Sequence, residues 1–426
     1  MVRMICAKMR TLIQEVIPLV ERKEYLNQLI EWKDEQVIKV VTGIRRCGKS
    51  TLLLLFQQWM KANGITEEQI VSVNFEELEY EELLDYKKLY QYLKERLVNG
   101  KTTYIFLDEV QKVPSFEKVV DSLYVKPNID LYITGSNAYM LSGDLATLLT
   151  GRYVEIKMLP LSFQEFLLMT GLEPERGFSE YLRNGGMPYT AAMNRTDEKV
   201  STYLEGIYNT VIVKDIEDRQ ARKENDPSKR KITDIVLLKT IAKYLASVVG
   251  NPVSVRSITD YLISNGRKIS PNTVGDYVEA LTESFIFYPA ERFDIVGKQL
   301  LKANRKMYIV DLGLRNHILP RKNYDLGFSI ENIVYFELLR RGYKVTIGKA
   351  GNTEVDFVAE KQGVYQYFQV TADMTAKETF DREIRPLENI RDNYEKTVLT
   401  TDRLTPGNYN GIQVRYLLDW LMETKN

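Results

Sequence analysis

An apolar strand, Val37-Ile38-Lys39-Val40-Val41, runs directly into TGIRRCGKSTLLLL, a glycine-bounded loop followed by a helix. Nothing else in the chain restricts the fold as much, because strand, loop and helix in this order open a parallel α/β sheet. Gly43, Gly48, Lys49 and Ser50 fill the pattern G-x-x-x-x-G-K-[ST]. The glycines let the backbone wrap closely around a triphosphate, while loop amides and the N-terminus of a helix from about Lys49 face its charge. The expected phosphate-binding segment is Gly43, Ile44, Arg45, Arg46, Cys47, Gly48, Lys49, Ser50 and Thr51. Lys49 is placed to reach the β and γ oxygens, and Ser50 to give a hydroxyl to Mg²⁺. The competing reading, a tight strand-to-helix turn, leaves Lys49 unexplained.

Further along, Ile70 to Phe75 reads as a strand and Tyr86 to Leu97 as a helix. Thr103-Tyr104-Ile105-Phe106-Leu107 is an apolar run ending in Asp108 and Glu109. A buried parallel strand has this composition, and ligands of an open α/β sheet bind at its carboxyl end. Asp108 is expected to hold Mg²⁺ through a water or through Ser50, and Glu109 to orient and deprotonate the attacking water. The alternative for such a pair is a helix N-cap. A fourth strand, Ile129 to Thr134, runs into Gly135-Ser136-Asn137. Ser136 and Asn137 are both candidates for sensing the γ-phosphate or the lytic water, or for capping a turn. Arg152 is a candidate for neutralising charge on the transferred phosphoryl group, in its own subunit or a neighbour, or for a surface salt bridge.

The rest of the composition is permissive. At 426 residues two to four compact units are expected, and 58 Lys plus Arg balance 58 Asp plus Glu. No global field then draws the chain to nucleic acid or a membrane, so such binding has to come from local patches. Two cysteines, Cys6 and Cys47, cannot make a disulfide framework, and one histidine excludes His-based metal or triad chemistry. A reducing cytoplasm is the expected home. The first residues are too charged for a membrane span and do not read as a signal peptide. Cys47 in the phosphate loop is read as a small side chain that fits there rather than as a redox thiolate.

These residues carry a family resemblance. The chain resembles bacterial and archaeal AAA-type ATPases that pair an N-terminal P-loop domain with a C-terminal DUF4143 domain. The matching stretches are Arg22, Tyr25 and Leu26, then TGIRRCGKSTLLL, YIFLDEVQKVPSFEKVVDSLY, YITGSNAYMLSGDLATLLTGRYVEI, LPLSFQEFL and NGGMP. The resemblance implies an ASCE-type ATPase with Glu109 as base, Ser136 or Asn137 as sensor and Arg152 as a finger. It also implies that Arg45 and Arg46 contact phosphate or a neighbouring subunit.

Beyond the ATPase segment, Phe163 to Lys231 reads as helices broken at Gly171 to Gly177, Gly185-Gly186-Met187-Pro188 and Asn225-Asp226-Pro227. The cluster Lys214 to Arg219 reads as a solvated helix face. Helices around Val236 to Val248, Val255 to Leu262 and from Ser270-Pro271, followed by two strands, have the order of a winged helix. Asp276, Glu279 and Glu283 on its third helix oppose ordinary DNA reading. Arg267, Lys268, Arg292, Lys298, Lys302, Arg305 and Lys306 could bind a nucleic acid backbone, so nucleic-acid contact and protein docking both stay open.

The last segment resembles the restriction-endonuclease-like core of DUF4143 domains, which has a helix glutamate, an E-V-D-F strand and an acid-x-lysine strand. Glu331 and Asp356 are present, but Gln369 and Thr371 stand where the acid and the lysine are expected. The resemblance therefore implies a retained scaffold with a vestigial site of Glu331, Asp356 and Gln369, unless Lys349 substitutes in space.

The expected fold class is α/β: a P-loop NTPase domain of the ASCE/AAA type over 1–165, a helical connector over 166–231, a winged helix over 232–320 and a nuclease-like domain over 321–426. The expected function is an ATP- and Mg²⁺-dependent ATPase acting as a switch or motor on a macromolecular partner, oligomeric or not. The alternatives are a nucleotide-regulated binding module with negligible turnover and an ATP-dependent DNA-processing nuclease.

Overall fold

The computed structural model describes residues 20–135, 149, 151–193, 196–215, 234–319 and 326–423. They fall into two compact units, one of residues up to Pro160 with Glu283–Phe285, the other of Leu161–Thr282 with Ile286 onward.

In the first unit, helix α1 (Lys23–Glu31) precedes strand β1 (Ile38–Thr42), and α2 (Lys49–Ala62) follows the glycine-bounded loop. Then come β2 (Ile70–Asn74), α3 (Tyr86–Lys94), β3 (Thr103–Asp108), α4 (Phe116–Tyr124), β4 (Ile129–Thr134) and β5 (Tyr153–Lys157). All five strands are parallel in the order β2-β3-β4-β1-β5. The central strands are apolar on both faces because helices cover both. On one face Val40, Ile105, Leu107 and Ile133 pack with Leu89 and Leu93 of α3 and Val119, Val120 and Leu123 of α4. On the other, Phe56 of α2 lies against Phe106 and Tyr132, whose rings stack at 4.7 Å. Each such side chain contributes roughly 1.5–3 kcal/mol on full burial. Because β4 lies between β1 and β3, the carboxyl ends of β1, β4 and β3 stand side by side. Val41 pairs with Thr134, Leu107 with Ile133, and Asn74 of β2 with Asp108.

The second unit opens with α5 (Phe163–Thr170), α6 (Pro174–Asn184), α7 (Pro188–Ala192) and α8 (Asp197–Asn209). Gly177, expected to end a break between helices, lies inside α6. A Cβ there would meet Leu167 Cδ2 at 2.2 Å, so the glycine serves close packing of α6 on α5. The NGGMP turn has a partner that the sequence did not indicate: buried Asp311 accepts the Gly186 N–H at 2.6 Å and caps a later helix through Leu314 N–H at 3.0 Å. Gly185 has φ +74°, and a Cβ on it would lie 2.2 Å from the Asp311 carboxylate, so no other residue fits. Burial pushes the Asp311 carboxyl up to about 6. The expected break at Asn225 to Pro227 and the charges from Glu217 to Arg219 lie outside the described residues, as do the side chains of Lys214 and Asp215.

Helices α9 (Ile235–Ser247), α10 (Val255–Ser264) and α11 (Pro271–Glu283) follow, with the short strand β6 (Pro252–Val253) between the first two. The Ser270 hydroxyl accepts the Thr273 N–H at 3.2 Å, as its predicted capping role requires. Next come the hairpin β7 (Phe287–Asp294) and β8 (Gln299–Ile309), α12 (Leu312–Ile318) and α13 (Leu326–Arg340). Strands β9 (Lys344–Ala350), β10 (Thr353–Lys361) and β11 (Val364–Thr371), helix α14 (Lys377–Glu388), strands β12 (Glu395–Thr400), β13 (Gly407–Tyr409) and β14 (Ile412–Tyr416), and α15 (Leu417–Met422) complete the unit. One nine-stranded sheet, β13-β14-β12-β11-β10-β9-β7-β8-β6, crosses the boundary expected at 320/321, through parallel pairing of Arg292 to Asp294 with Ile347 to Lys349. No helix among the described residues is long and apolar enough to cross a membrane.

Candidate functional site

Strand order brings the loop after β1, the acids ending β3 and the hydroxyl ending β4 to one edge of the first unit. Gly43 has φ +142°, and a Cβ there would lie 2.1 Å from Met158 O, so the loop passes the end of β5 at a distance only glycine allows. Gly48, at φ +105°, caps α2, whose first turn holds no acidic residue. The partial positive charge of that helix end is therefore left for an anion. Lys49 is buried; its ammonium donates to Gly43 O at 3.1 Å and Ile44 O at 3.4 Å, and lies 4.0 Å from Glu109 Oε1.

Thr134 Oγ1 donates to the Asp108 carboxylate, and Ser50 stands close enough to help hold its pKa down. Burial raises the Asp108 pKa above the usual carboxylate range and outweighs the pull of both hydroxyls, with Glu109 pushing the same way and Lys49 opposing. Thr134 Oγ1 also accepts the Glu109 N–H at 2.9 Å, which ties both acids to β4. Glu109 itself is in the left-handed region at φ +54°. It caps the short turn Val110–Lys112, and its Oε2 accepts from Gln111 Nε2 at 2.5 Å.

The remaining candidates divide. Ile44 and Cys47 are buried, and burial pushes the Cys47 thiol up, which favours the unreactive reading. Arg45 pairs with Glu76 at 3.0 Å. Arg46 is exposed with φ +69°, and Thr51 is half-buried. Ser136 and Asn137 lie outside the described residues. Arg152 is not brought to the loop in this chain. It precedes Tyr153, which pairs with Ile38 at the amino end of β1, so about 16 Å of strand separates it from Gly43. Its guanidinium lies 5.3 Å from the Tyr124 ring centre and faces Asp121.

Three contributors were not singled out for these contacts in the sequence. Thr134 was legible only as a strand end, and Gln111 only as part of a motif. Arg22 is a long charged side chain that is nevertheless buried: it donates to Cys47 O at 3.1 Å and Leu159 O at 2.7 Å, pinning the loop to the segment after β5.

In the second unit, Glu331 of α13, Asp356 of β10 and Gln369 of β11 line one cavity of about 440 Å³ with Asp373, Arg382 and Glu383. A lysine does reach this cluster, but it is Lys306 of β8. Its ammonium lies 3.0 Å from Glu331 Oε1 and 2.9 Å from Glu354 Oε1, and Tyr308 donates to the same Glu331 oxygen at 2.6 Å. Strand alternation turns Lys306 and Tyr308 inward and leaves Arg305 outside, so Lys306 is not available as an exposed wing cation. Of the other basic residues, Lys268 and Lys298 are exposed, Arg267 pairs with Asp234, Arg292 lies 3.7 Å from Glu354, and the Lys302 side chain lies outside the described residues. Lys349 stands opposite Glu354 in the β9–β10 ladder.

Burial pulls the Lys306 pKa down, but Glu331, Asp356 and Glu354 raise it more. Asp356 is pushed well above the carboxylate range by burial and then by Glu331. Gln369 Oε1 accepts the Asp356 N–H at 3.3 Å while its Nε2 donates to Glu383 at 3.0 Å. Among the described residues, no group of three or more His, Cys, Asp or Glu is arranged to hold a metal ion.

Residues 35–167 match the family model of an AAA domain. Residues 175–325 match that of a domain of unknown function, DUF8612. An uncharacterised protein of Haemophilus influenzae is 38% identical over 412 residues, covering 95% of this chain and 99% of the relative. The chain belongs to the same family as that protein. The uncharacterised protein MJ1544 of Methanocaldococcus jannaschii is 29% identical over 375 residues, 82% of this chain and 79% of its own. Among solved structures, the Aeropyrum pernix ORC1 protein in complex with DNA matches at 12% identity and a TM-score of 0.32, over 72% of this chain and 94% of that one. By the family-model match over residues 35–167, this family member carries an AAA-type P-loop domain. The expected DUF4143 assignment is corrected to DUF8612 for the segment after it. The motifs of the first half lie almost wholly in the AAA segment, which does not specify the domain attached to it, while Glu331 and Asp356, on which the expectation also rested, lie beyond the residues matched.

Proposed function

We propose that this protein hydrolyses ATP in its first unit and uses the nucleotide cycle to act on a macromolecular partner. The observation that carries the reading is the convergence of Lys49 and Ser50, at the start of α2, with Asp108 and Glu109, at the end of β3, along the carboxyl edge of the parallel sheet. The loop amides and the unneutralised end of α2 take the phosphates, and Lys49 exchanges its bonds to Gly43 O and Ile44 O for phosphate oxygens. Ser50 and Asp108 offer hard oxygen donors close to each other, a set that fits Mg²⁺. Bound there, Mg²⁺ would supply charge neutralisation on the phosphate oxygens. Glu109 accepts the proton of the attacking water. Arg152, held at the far edge of the sheet, suits a finger role only toward a neighbouring subunit.

On mixing with ATP and Mg²⁺, wild type is expected to release phosphate steadily and to bind ATP with measurable heat in calorimetry. Lys49→Ala should lose both. Equal phosphate release from the two proteins would sink the reading.

For the second unit we read residues 232–320 as a winged helix, built on α9, α10 and α11 and the β7–β8 hairpin. Residues 321–426 we read as a nuclease-like scaffold that grips a partner without cutting. The placement of Lys306 supports this: an ammonium already neutralises the carboxylates that a metal would need. Plasmid incubated with Mn²⁺ is expected to stay intact. Cleavage that disappears in Asp356→Ala would show a working nuclease instead.

A further inference from the structure

We infer that Gln111 is a positioning residue for Glu109, an inference that rests on the ATPase reading above. The Glu109 carboxylate is held at both oxygens: Oε2 accepts from Gln111 Nε2 at 2.5 Å, and Oε1 faces Lys49 at 4.0 Å. Both Glu109 and Gln111 are buried. The left-handed backbone at Glu109 and the turn Val110–Lys112 bring a side chain two residues later back over the carboxylate. The main chain of Glu109 is meanwhile fixed to Thr134.

The two oxygens therefore have different fates when a triphosphate binds. Lys49 turns to phosphate and leaves Oε1 facing the water, whereas Oε2 stays on the Gln111 amide. A glutamate without that second hold would sample other rotamers, and a base displaced by about 1 Å can lose on the order of 100-fold in rate. Gln111 needs no contact with nucleotide or water for this; it acts through Glu109.

The bland alternative is that Gln111 merely fills and satisfies a buried turn. Steady-state kinetics on the full chain separate the two, using Gln111→Met, which keeps the size and removes the donor. The expected result is a kcat lower by roughly 10- to 100-fold with KM and calorimetric ATP affinity unchanged. On a Glu109→Gln background the same substitution should change the residual rate no further, because its target is already gone.

A Gln111→Met rate equal to that of wild type, where wild type clearly exceeds Glu109→Gln, overturns the inference alone. So does an equal fractional loss in both backgrounds. A wild-type rate no higher than Glu109→Gln overturns the ATPase reading, and this inference with it. If Gln111→Met does not fold by circular dichroism, Gln111→Leu, which removes the donor without adding a charge, takes its place, and the same outcomes support or overturn the inference.

Discussion

Replacing Glu109 by glutamine is expected to lower the rate of ATP hydrolysis by roughly 10²- to 10⁴-fold, the share of a barrier that a positioned general base supplies. The size of the effect follows from the position of the carboxylate. It is buried at the end of β3, its backbone is fixed by Thr134, and Oε1 lies 4.0 Å from the Lys49 ammonium beside the phosphate loop. Glutamine keeps the shape and cannot accept a proton. ATP affinity should persist, since the loop, Lys49, Ser50 and Asp108 are untouched. The variant would then hold ATP long enough to trap whatever the ATP state grips. Single-turnover measurement with equilibrium binding checks this. A hydrolysis rate within about threefold of wild type, far below the loss expected of a general base, would exclude Glu109 from that role.

Asp130→Ala is expected to destabilise the first unit by about 3–5 kcal/mol, because it strands a buried ammonium. Lys39, in the inner strand β1, has no exposed surface; its Nζ lies 2.5 Å from Asp130 Oδ1 and donates to Glu35 O at 2.6 Å. Asp130 in turn accepts from the Asp34 N–H and the Tyr132 hydroxyl, both at 2.9 Å. Burial pushes the Asp130 carboxyl upward, and Lys39 is the largest of the influences opposing it. An unpaired charge at this depth has no water to turn to.

The double variant Lys39→Met with Asp130→Leu should recover most of the loss, because a well-packed apolar pair replaces a buried ion pair at little net cost. Urea unfolding of wild type and the two variants tests the claim. A single-variant loss below about 1 kcal/mol would place the pair among ordinary surface salt bridges.

The strands of the first unit were legible because each is a short apolar run bounded by polar or glycine residues, and the phosphate loop because its spacing admits few other uses. Their order was not. β4 follows β3 in the chain yet lies between β3 and β1, and that insertion is what sets Thr134 against Asp108 and Glu109. Arg152 was misleading for the same reason: it is close to β5 in sequence but at the wrong end of that strand for the loop. In the second unit Lys306 looked like one cation among several on a hairpin, and only the pleat turned it inward.

By itself the sequence determined the local elements and the triphosphate-binding pattern, since periodicity and glycine placement act within a few residues of backbone. Tertiary structure alone decided which side chains meet. Arg22 on the loop, Gln111 on Glu109, Lys39 on Asp130 and Lys306 on Glu331 join residues far apart in the chain or depend on the conformation of a single turn. Such pairings are set by strand order and by the demand that buried charge find a partner, and neither leaves a mark on neighbouring residues.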